Sequence, residues 1–278
     1  MDQKIINLYD KFTHGGMSRR DFLDQLTVMA GGTAAATVLL SQLQNNYAMA
    51  QIVPENDPRL KTETVSFPSG AGSISGYLVR PNDNVRRPAV IVIHENRGLN
   101  PHIKDVARRI ALAGFVAFGV DYLSPLGGTP TDEDKARDMF AQLKAPDVLA
   151  SSRAVFAGLK ARGDVTEKIG AIGFCWGGGQ VNALAVAEPE LAAGVPYYGV
   201  QPKAEDVANI KAPLLLQYAS NDERINAGIP AFEAALKQKN KVYEIYIYPN
   251  SQHAFNNDTN AARYDKATAD LAWGRTIA

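Results

Sequence analysis

The chain has 278 residues, of which 46% are hydrophobic, so it is long enough for one large globular domain or two small ones. Lysine plus arginine and aspartate plus glutamate each number 29, and this balance argues against binding nucleic acid or another polyelectrolyte through a charged face. The single cysteine excludes an internal disulfide.

The first 50 residues differ in kind from the rest of the chain. Two adjacent arginines lie in Ser18-Arg19-Arg20-Asp21-Phe22-Leu23, a weakly apolar stretch covers 26–40, and Ala48-Met49-Ala50 has the small-x-small pattern of a cleavage site. Together they resemble a twin-arginine export signal, with Asp24 where that pattern usually has lysine. The alternative is an ordinary amphipathic helix with an incidental arginine pair.

We therefore expect an export signal over residues 1–50, a leader segment over 51–60 and a single domain over 61–278. The twin-arginine export machinery would be a partner of the signal. Cleavage near Ala50 would leave the mature protein in the periplasm or outside the cell. The apolar stretch is too short, and too interrupted by glycine and threonine, to predict a stable membrane span.

After residue 60 the sequence alternates between strand and helix patterns. Two alternating segments joined by a glycine-rich turn, 62–67 and 73–80, predict a hairpin. Apolar runs predict buried strands over 88–94, 115–120, 169–174, 193–197, 212–219 and 242–248. Helices are predicted over 101–113, 131–143, 146–162, 180–187, 229–239 and from 261 to the end. This order predicts an α/β fold with a mostly parallel sheet, helices on both faces and an antiparallel hairpin at its N-terminal edge.

Cys175 lies in a glycine-rich run, Gly173-Phe174-Cys175-Trp176-Gly177-Gly178, between a predicted strand and a predicted helix. Small neighbours allow strand and helix to approach closely around a residue held in a strained conformation. The run has the pattern of an α/β-hydrolase nucleophile elbow, with cysteine in place of serine. Because the N-terminus of the following helix favours a thiolate, we predict that Cys175 is a nucleophile. The alternative is a small buried hydrophobic residue, the usual state of a lone cysteine.

An acid and a histidine follow two later strands. Asp222 comes just after the predicted strand 212–219, and His253 comes just after 242–248. Cys175, Asp222 and His253 thus occur in the nucleophile, acid, histidine order of the α/β-hydrolase fold. In such a triad His253 takes the thiol proton and Asp222 fixes the histidine tautomer. Asp222 could instead only cap a nearby helix, and His253 could be a surface residue.

The other three histidines fall elsewhere. His14 lies in the predicted signal, His94 ends a strand on the other side of the elbow, and His102 lies in the first turn of a predicted helix. Only His253 is therefore placed as the base. Since no group of histidine, cysteine and acidic residues shows the spacing of metal ligands, the sequence predicts no metal and no organic cofactor.

The predicted strand 88–94 leads into the loop His94-Glu95-Asn96-Arg97-Gly98-Leu99, where this fold supplies its second oxyanion donor. We expect the backbone N–H groups of Asn96 and Trp176 to form the oxyanion hole. Glu95 brings a carboxylate close to the end of the nucleophile strand. Its alternative role is a surface acid paired with Arg97.

Over about residues 60–278 these features resemble the dienelactone hydrolase (carboxymethylenebutenolidase) family. The stretches that carry the resemblance are His94-Glu95, Gly98-Leu99-Asn100-Pro101-His102, Asp121-Tyr122-Leu123, Gly173-Phe174-Cys175-Trp176-Gly177-Gly178, Asp222 and His253-Ala254-Phe255. The resemblance implies that Cys175, Asp222 and His253 are a catalytic triad. It also implies that Glu95 holds or deprotonates the thiol before substrate binds.

One position departs from the family pattern. Members that cleave dienelactone have an arginine four residues after the histidine, which binds the substrate carboxylate, and here that residue is Asn257. A bidentate guanidinium donor is therefore missing at this position. Arg263 or another arginine could replace it, which the sequence does not show. A neutral or differently charged ester or lactone is thus as good a candidate substrate as dienelactone.

The sequence accordingly predicts hydrolysis of a small carboxylic ester or lactone through a Cys-His-Asp triad and a thioester intermediate. One alternative keeps the triad and changes the substrate, as in a thioesterase or an amidase. The other alternative is a redox-sensing or ligand-binding protein on the same scaffold, in which Cys175 is oxidised rather than acylated.

Overall fold

The computed structural model describes residues 1–49, 52–70 and 72–278, so the predicted cleavage position at Ala50 lies outside the described residues. A single sheet of eight strands forms its centre. The strands are β1 (Leu60–Ser69), β2 (Gly72–Pro81), β3 (Arg87–Ile93), β4 (Val116–Asp121), β5 (Val165–Phe174), β6 (Ala193–Tyr197), β7 (Leu214–Asn221) and β8 (Tyr243–Gln252). Their order across the sheet is β1-β2-β4-β3-β5-β6-β7-β8.

Antiparallel pairing occurs only at the N-terminal edge of the sheet. The hairpin strand β2 pairs antiparallel with both β1 and β4, and the pairs from β4 to β8 are all parallel. The predicted mostly parallel sheet with an antiparallel N-terminal hairpin is therefore confirmed. Because parallel strands end at the same edge, the residues that follow β3, β5, β7 and β8 are brought to one side of the molecule.

Helices cover both faces of this sheet. They are α1 (Gln3–Thr13), α2 (Arg19–Ala30), α3 (Thr33–Leu43), α4 (Pro101–Leu112), α5 (Glu133–Phe140), α6 (Ala145–Lys160), α7 (Trp176–Ala187), α8 (Glu223–Asn226), α9 (Ile229–Gln238) and α10 (Lys266–Ile277). Side chains alternate along β3: Ile91 and Ile93 pack in the core cluster that contains Val155 of α6, whereas Val92 packs in the cluster that contains Ile103 of α4. The sheet is thus buried on both faces.

The boundaries of some elements differ from the predicted ones for local reasons. Helix α5 begins at Glu133 rather than 131, because the Asp132 side chain accepts hydrogen bonds from the N–H groups of Asp134 and Lys135 and so fixes the first turn; it ends at Phe140 rather than 143. Strand β5 begins at Val165 rather than 169. The residues after Val165, namely Thr166, Glu167 and Lys168, are polar and at least partly exposed, so this stretch lacks the apolar pattern from which a buried strand is predicted.

Residues 1–49, called here the N-terminal segment, form three helices with a small apolar cluster of their own. Leu8 and Phe12 of α1 pack with Phe22 and Leu26 of α2 and with Leu43 of α3. Among the described residues no single helix is long and apolar enough to cross a membrane. Helix α2 and the stretch Thr33–Met49 meet that requirement of length and composition only together, with a bend of 115° between them. The export role of the segment stays a prediction.

The N-terminal segment also contacts the rest of the chain directly. The Asn260 side chain donates a hydrogen bond to the carbonyl of Leu43 at 2.6 Å, and the Asn46 N–H donates to the carbonyl of Thr259 at 2.8 Å. Arg19, the first arginine of the predicted export motif, forms an ion pair with Asp134. These contacts hold the segment over the edge of the sheet at which the parallel strands end.

Candidate active site

Cys175 occupies a sharp turn between β5 and α7. Its backbone has φ 56° and ψ −115°, an unfavourable conformation for a residue with a side chain. The turn needs small neighbours, since a Cβ added at Gly177 would lie 2.4 Å from the carbonyl oxygen of Ile93. A Cβ added at Gly178 would lie 2.6 Å from the carbonyl oxygen of Tyr197. The strand, turn and helix therefore have the geometry of a nucleophile elbow, and they place the thiol at the N-terminus of α7.

His253 and Asp222 lie together beyond the ends of β8 and β7. The His253 Nδ1 and the Asp222 Oδ2 are 2.5 Å apart, and both side chains are buried. Asp222 also caps α8, because its Oδ1 accepts a hydrogen bond from the N–H of Ile225 at 3.3 Å. The capping role and the histidine-pairing role thus coexist in the same carboxylate. The Tyr198 ring packs beside the imidazole, with a centroid distance of 4.9 Å.

The structure brings a second histidine to the thiol. The Nε2 of His14, at the end of α1, lies 3.2 Å from the Sγ of Cys175, although the two residues are 161 positions apart. One ring nitrogen of His14, one of His253 and the Sγ all lie within 4.8 Å of one another. The two imidazole rings are perpendicular, with a centroid distance of 5.0 Å. Cys175 therefore lies close to two histidines, of which the sequence predicts only His253 at the site.

The charges of Cys175, His253, His14 and Asp222 shift the pKa values of the thiol and of the His253 imidazole. Burial would raise the pKa of the Cys175 thiol, but the positive charges of His253 and His14, together with the hydrogen bond from His14, outweigh burial and lower this pKa to about 6. Burial would lower the pKa of His253, yet the Cys175 thiolate and the Asp222 carboxylate raise it well above the usual value. The arrangement consequently favours a thiolate beside an imidazolium near neutral pH.

The oxyanion donors predicted from the sequence lie around the same thiol. Trp176 is the first residue of α7, so its N–H has no acceptor within the helix. Asn96 follows β3, and its side chain donates a hydrogen bond to the carbonyl of Thr13 at 2.7 Å. Asn96, Cys175 and Trp176 all line one cavity of about 810 Å³. The role of the two backbone N–H groups as an oxyanion hole stays a prediction.

His94 and His102 take part in local structure instead. The His94 Nδ1 donates to the carbonyl of Glu95 at 2.6 Å, and its Nε2 accepts from the N–H of Tyr122 at 3.3 Å. Burial lowers the pKa of His94, so the ring is neutral. The His94 ring also stacks on Trp176, with 5.6 Å between centroids. His102 lies in the first turn of α4, as predicted, with its Nδ1 2.8 Å from the Asp258 Oδ1.

A model described as the dienelactone hydrolase family matches residues 74–278 of the chain. The chain belongs to the dienelactone hydrolase family. It is therefore a carboxylic ester or lactone hydrolase with the α/β-hydrolase fold. A second model, described as YqhI-like, matches residues 1–31, which contain all of α1 and α2.

Similar proteins agree with the assignment to the dienelactone hydrolase family. A protein of Escherichia coli (strain K12) named "Putative carboxymethylenebutenolidase" is 32% identical over 242 residues, which cover 81% of this chain and 89% of that protein. The "Putative hydrolase fragment YghX" of the same organism is 47% identical over 111 residues, which cover 39% of this chain and 95% of the fragment. The crystal structure of a "Putative Dienelactone Hydrolase" from Klebsiella pneumoniae has a TM-score of 0.71 at 28% identity, covering 78% of this chain and 97% of that one.

Asn257, the residue at which this chain departs from the dienelactone hydrolase pattern, contacts the carboxylate of Glu95 in the loop after β3. The Asn257 Nδ2 donates to the Glu95 Oε2 at 3.0 Å, and both residues are buried. Arg97, the alternative partner of Glu95, is instead 3.7 Å from Glu133. Within the part of the chain that the structure describes, Glu95 makes no hydrogen bond to the thiol. Its role in thiol activation stays a prediction.

Arg263, considered as a replacement for the family arginine, does reach the dienelactone hydrolase site. It is buried and lines a cavity of about 20 Å³ together with Glu95, Cys175 and His253. Its guanidinium lies 3.9 Å from the Asp10 carboxylate and 5.3 Å from the ring centroid of Tyr9. In this arrangement the N-terminal segment, rather than a substrate carboxylate, contacts the cation.

His14 is the residue that the sequence did not assign to the dienelactone hydrolase site. No local motif encodes its contact with Cys175, because the two lie in distant parts of the chain. One available signal was the apolar face of α1, where buried Ile5, Leu8, Tyr9 and Phe12 recur at helical spacing. That face indicates a helix that docks on another surface.

The rate at which iodoacetamide alkylates Cys175 should depend on the protonation state of its thiol. The thiolate is the reactive form and is present above the pKa of the thiol, so labelling should fall as the pH drops through about 6. In His253→Ala the midpoint should move up toward the usual thiol range, since one positive charge beside the sulfur is lost. Mass spectrometry of labelled protein across pH measures both midpoints. A wild-type midpoint in the usual range, unchanged in the variant, would contradict the thiolate assignment.

Proposed function

We propose that the protein hydrolyses a small carboxylic ester or lactone by acyl transfer through Cys175, His253 and Asp222. One observation carries the proposal: Cys175 lies at a strained elbow, and its sulfur is within 4.8 Å of a ring nitrogen of His253, a histidine that is paired with the Asp222 carboxylate. The same three side chains occur in the chain order typical of this fold. A structural role alone would not require a buried acid, a buried histidine and a thiol to converge.

The acylation step uses the thiolate as nucleophile. Sulfur attacks the substrate carbonyl carbon, and the negative charge that develops on the carbonyl oxygen is stabilised by the N–H groups of Asn96 and Trp176. One such donor is typically worth about 3 kcal/mol of barrier. As the tetrahedral intermediate collapses, the imidazolium of His253 protonates the departing alkoxide. Asp222 stabilises the imidazolium before this transfer and keeps Nδ1 protonated after it.

The deacylation step releases the acid. His253, now neutral, takes a proton from water as the water attacks the thioester carbonyl, and the same two N–H groups stabilise the second oxyanion. Collapse of this intermediate breaks the carbon–sulfur bond and returns the thiolate and the imidazolium. Because Asp222 holds His253 through Nδ1, the Nε2 atom serves as base in this step and as acid in the first.

The cavity favours a substrate with an apolar body. Phe140, Leu149, Trp176 and Val200 line it, and its volume of about 810 Å³ is in the range of small-molecule sites. The family arginine is replaced by Asn257, which contacts Glu95, and Arg263 faces Asp10. The family position therefore offers no guanidinium to a substrate carboxylate, and a neutral ester or lactone needs none there. Arg137 and Arg224 line another part of the same cavity, so a substrate with an anionic group elsewhere is the second candidate.

Capture of the acyl-enzyme tests the proposal. During turnover of p-nitrophenyl acetate, rapid acid quenching and mass spectrometry should find an acetyl group on the peptide that contains Cys175. Parallel panels of lactones, thioesters and amides separate ester hydrolysis from thioesterase and amidase activity. Turnover without any acyl adduct on Cys175 would contradict the thioester route. A sulfenic acid or mixed disulfide as the only modification would favour the redox alternative.

A further inference from the structure

Three side chains with metal-binding atoms converge at the active-site thiol. They are His14, Cys175 and His253, whose donor atoms lie within 4.8 Å of one another. The ring nitrogen of His14 nearest the sulfur is Nε2, at 3.2 Å. The Nδ1 of His253 is already paired with Asp222, so Nε2 is the atom left to face the sulfur. That buried Nε2 has no hydrogen-bond partner among the described residues.

In both His253 and His14 an aspartate acceptor fixes the ring through the Nδ1 atom. The His253 Nδ1 is held by the Asp222 carboxylate at 2.5 Å. The His14 Nδ1 lies 2.8 Å from the Asp10 carbonyl and 3.2 Å from its carboxylate. An acceptor placed behind Nδ1 keeps the proton on that nitrogen and turns the lone pair of Nε2 forward, which is the arrangement usual for histidines that bind metals. Two Nε2 lone pairs and one thiolate thus face a common point.

We propose that His14, Cys175 and His253 form a binding site for a zinc ion. Thiolate and imidazole are ligands that Zn²⁺ prefers, whereas Mg²⁺ and Ca²⁺ require oxygen ligands that this cluster does not offer. Tetrahedral coordination with Zn–S near 2.3 Å and Zn–N near 2.0 Å separates the donor atoms by roughly 3.5 Å. The His14 Nε2 lies 3.2 Å from the sulfur, and the other pairs of donor atoms lie within 4.8 Å. The three ligands leave a fourth position directed to the cavity that Cys175 and His14 both line. Protons held between the three side chains would be released to solvent as the ion binds.

The site depends on the N-terminal segment and does not depend on the hydrolytic role of the thiol. His14 supplies one of the three ligands from α1, so Zn²⁺ would tie this segment to the end of the sheet. The other two ligands are the proposed nucleophile and base. Metal binding and ester hydrolysis would therefore exclude each other at this position, which makes Zn²⁺ a reversible inhibitor of the full-length protein.

Titration of the full-length protein with Zn²⁺ in a calorimeter, and with Co²⁺ as a spectroscopic probe, tests the site. We expect one ion per chain and a near-ultraviolet charge-transfer band from thiolate to Co²⁺. His14→Ala should weaken Zn²⁺ binding by at least about 100-fold, because even loss of an outer-sphere partner costs about 10- to 100-fold. Cys175→Ser should abolish the band. The control is His102→Gln, which removes a histidine that faces Asp258 outside the cluster and should leave binding unchanged.

Two outcomes would overturn the proposal. One is a wild-type protein that binds Co²⁺ without a thiolate band, and the other is equal Zn²⁺ affinity in the wild type and His14→Ala. Circular dichroism on each variant separates loss of a ligand from loss of folding. Since binding is measured without substrate, the result does not depend on whether the acyl-enzyme is observed.

Discussion

Cys175→Ala is expected to lower ester turnover by at least about 10⁴-fold, the scale seen when the nucleophile of a triad is removed. The alanine variant cannot form the thioester, and what remains is the weak effect of the oxyanion donors on attack by water. The measurement is kcat/KM for p-nitrophenyl acetate with purified full-length protein. A variant that retains near wild-type turnover would rule out the proposed mechanism.

The fold of this variant should survive. Alanine adopts the elbow conformation at φ 56° with no more strain than cysteine, and the lost sulfur removes little buried surface. The free energy of unfolding, measured with urea, should therefore change by only about 1 kcal/mol. Cys175→Ser is the matched variant, because it keeps an atom at the nucleophile position but replaces a thiol of lowered pKa with a hydroxyl that ionises far less readily. Its turnover should lie between those of the wild type and the alanine variant.

Asp222→Asn is expected to lower turnover by about 10³- to 10⁴-fold. Asparagine cannot stabilise the imidazolium of His253 and favours the wrong tautomer of the ring. The substitution separates the two roles of this residue, since an asparagine oxygen still accepts the hydrogen bond from the Ile225 N–H and preserves the cap of α8. Steady-state kinetics and thermal unfolding on the same sample distinguish loss of catalysis from loss of folding.

The adjacent acid offers a matched control for this prediction. Glu223 is exposed, and it begins α8 one residue after Asp222. Glu223→Gln removes the same charge at nearly the same place and should leave turnover within about two-fold of wild type, because water screens an exposed charge that makes no contact with His253. Equal losses in Asp222→Asn and Glu223→Gln would indicate a general electrostatic effect rather than a specific contact with His253.

The parts of the fold that the sequence predicted well are those with strong local patterns. Strand β6 was predicted with its observed bounds, and α4 differs from its prediction by a single residue, since Pro101 fixes its start and the glycine after Ala113 follows its end. The elbow was also predictable, because glycines at Gly177 and Gly178 are required where strand, helix and neighbouring backbone meet. These features depend on residues close together in the chain.

The parts that were not predicted depend on contacts between distant residues. The paired arginines, the apolar stretch and the small residues of 1–50 favoured an export signal, and this interpretation removed His14 from consideration at the site. Nor could spacing show that Asn257 would contact Glu95, or that Arg263 would face Asp10. The Asn257 contact joins the last loops to the loop after β3, and the Arg263 contact joins them to the N-terminal segment.

The position of α1 means that the protein with its first 49 residues and the protein without them would be two different catalysts. Losing that stretch would take away His14, remove Thr13 from the wall of the substrate chamber and free Arg263 from the carboxylate of Asp10. The shortened enzyme would then have a wider entrance to the cavity and only one imidazole, that of His253, close to the Cys175 sulfur. The Arg263 guanidinium would be free to bind an anionic group of the substrate. If residues 1–49 are removed in the cell, substrate preference would change at that moment.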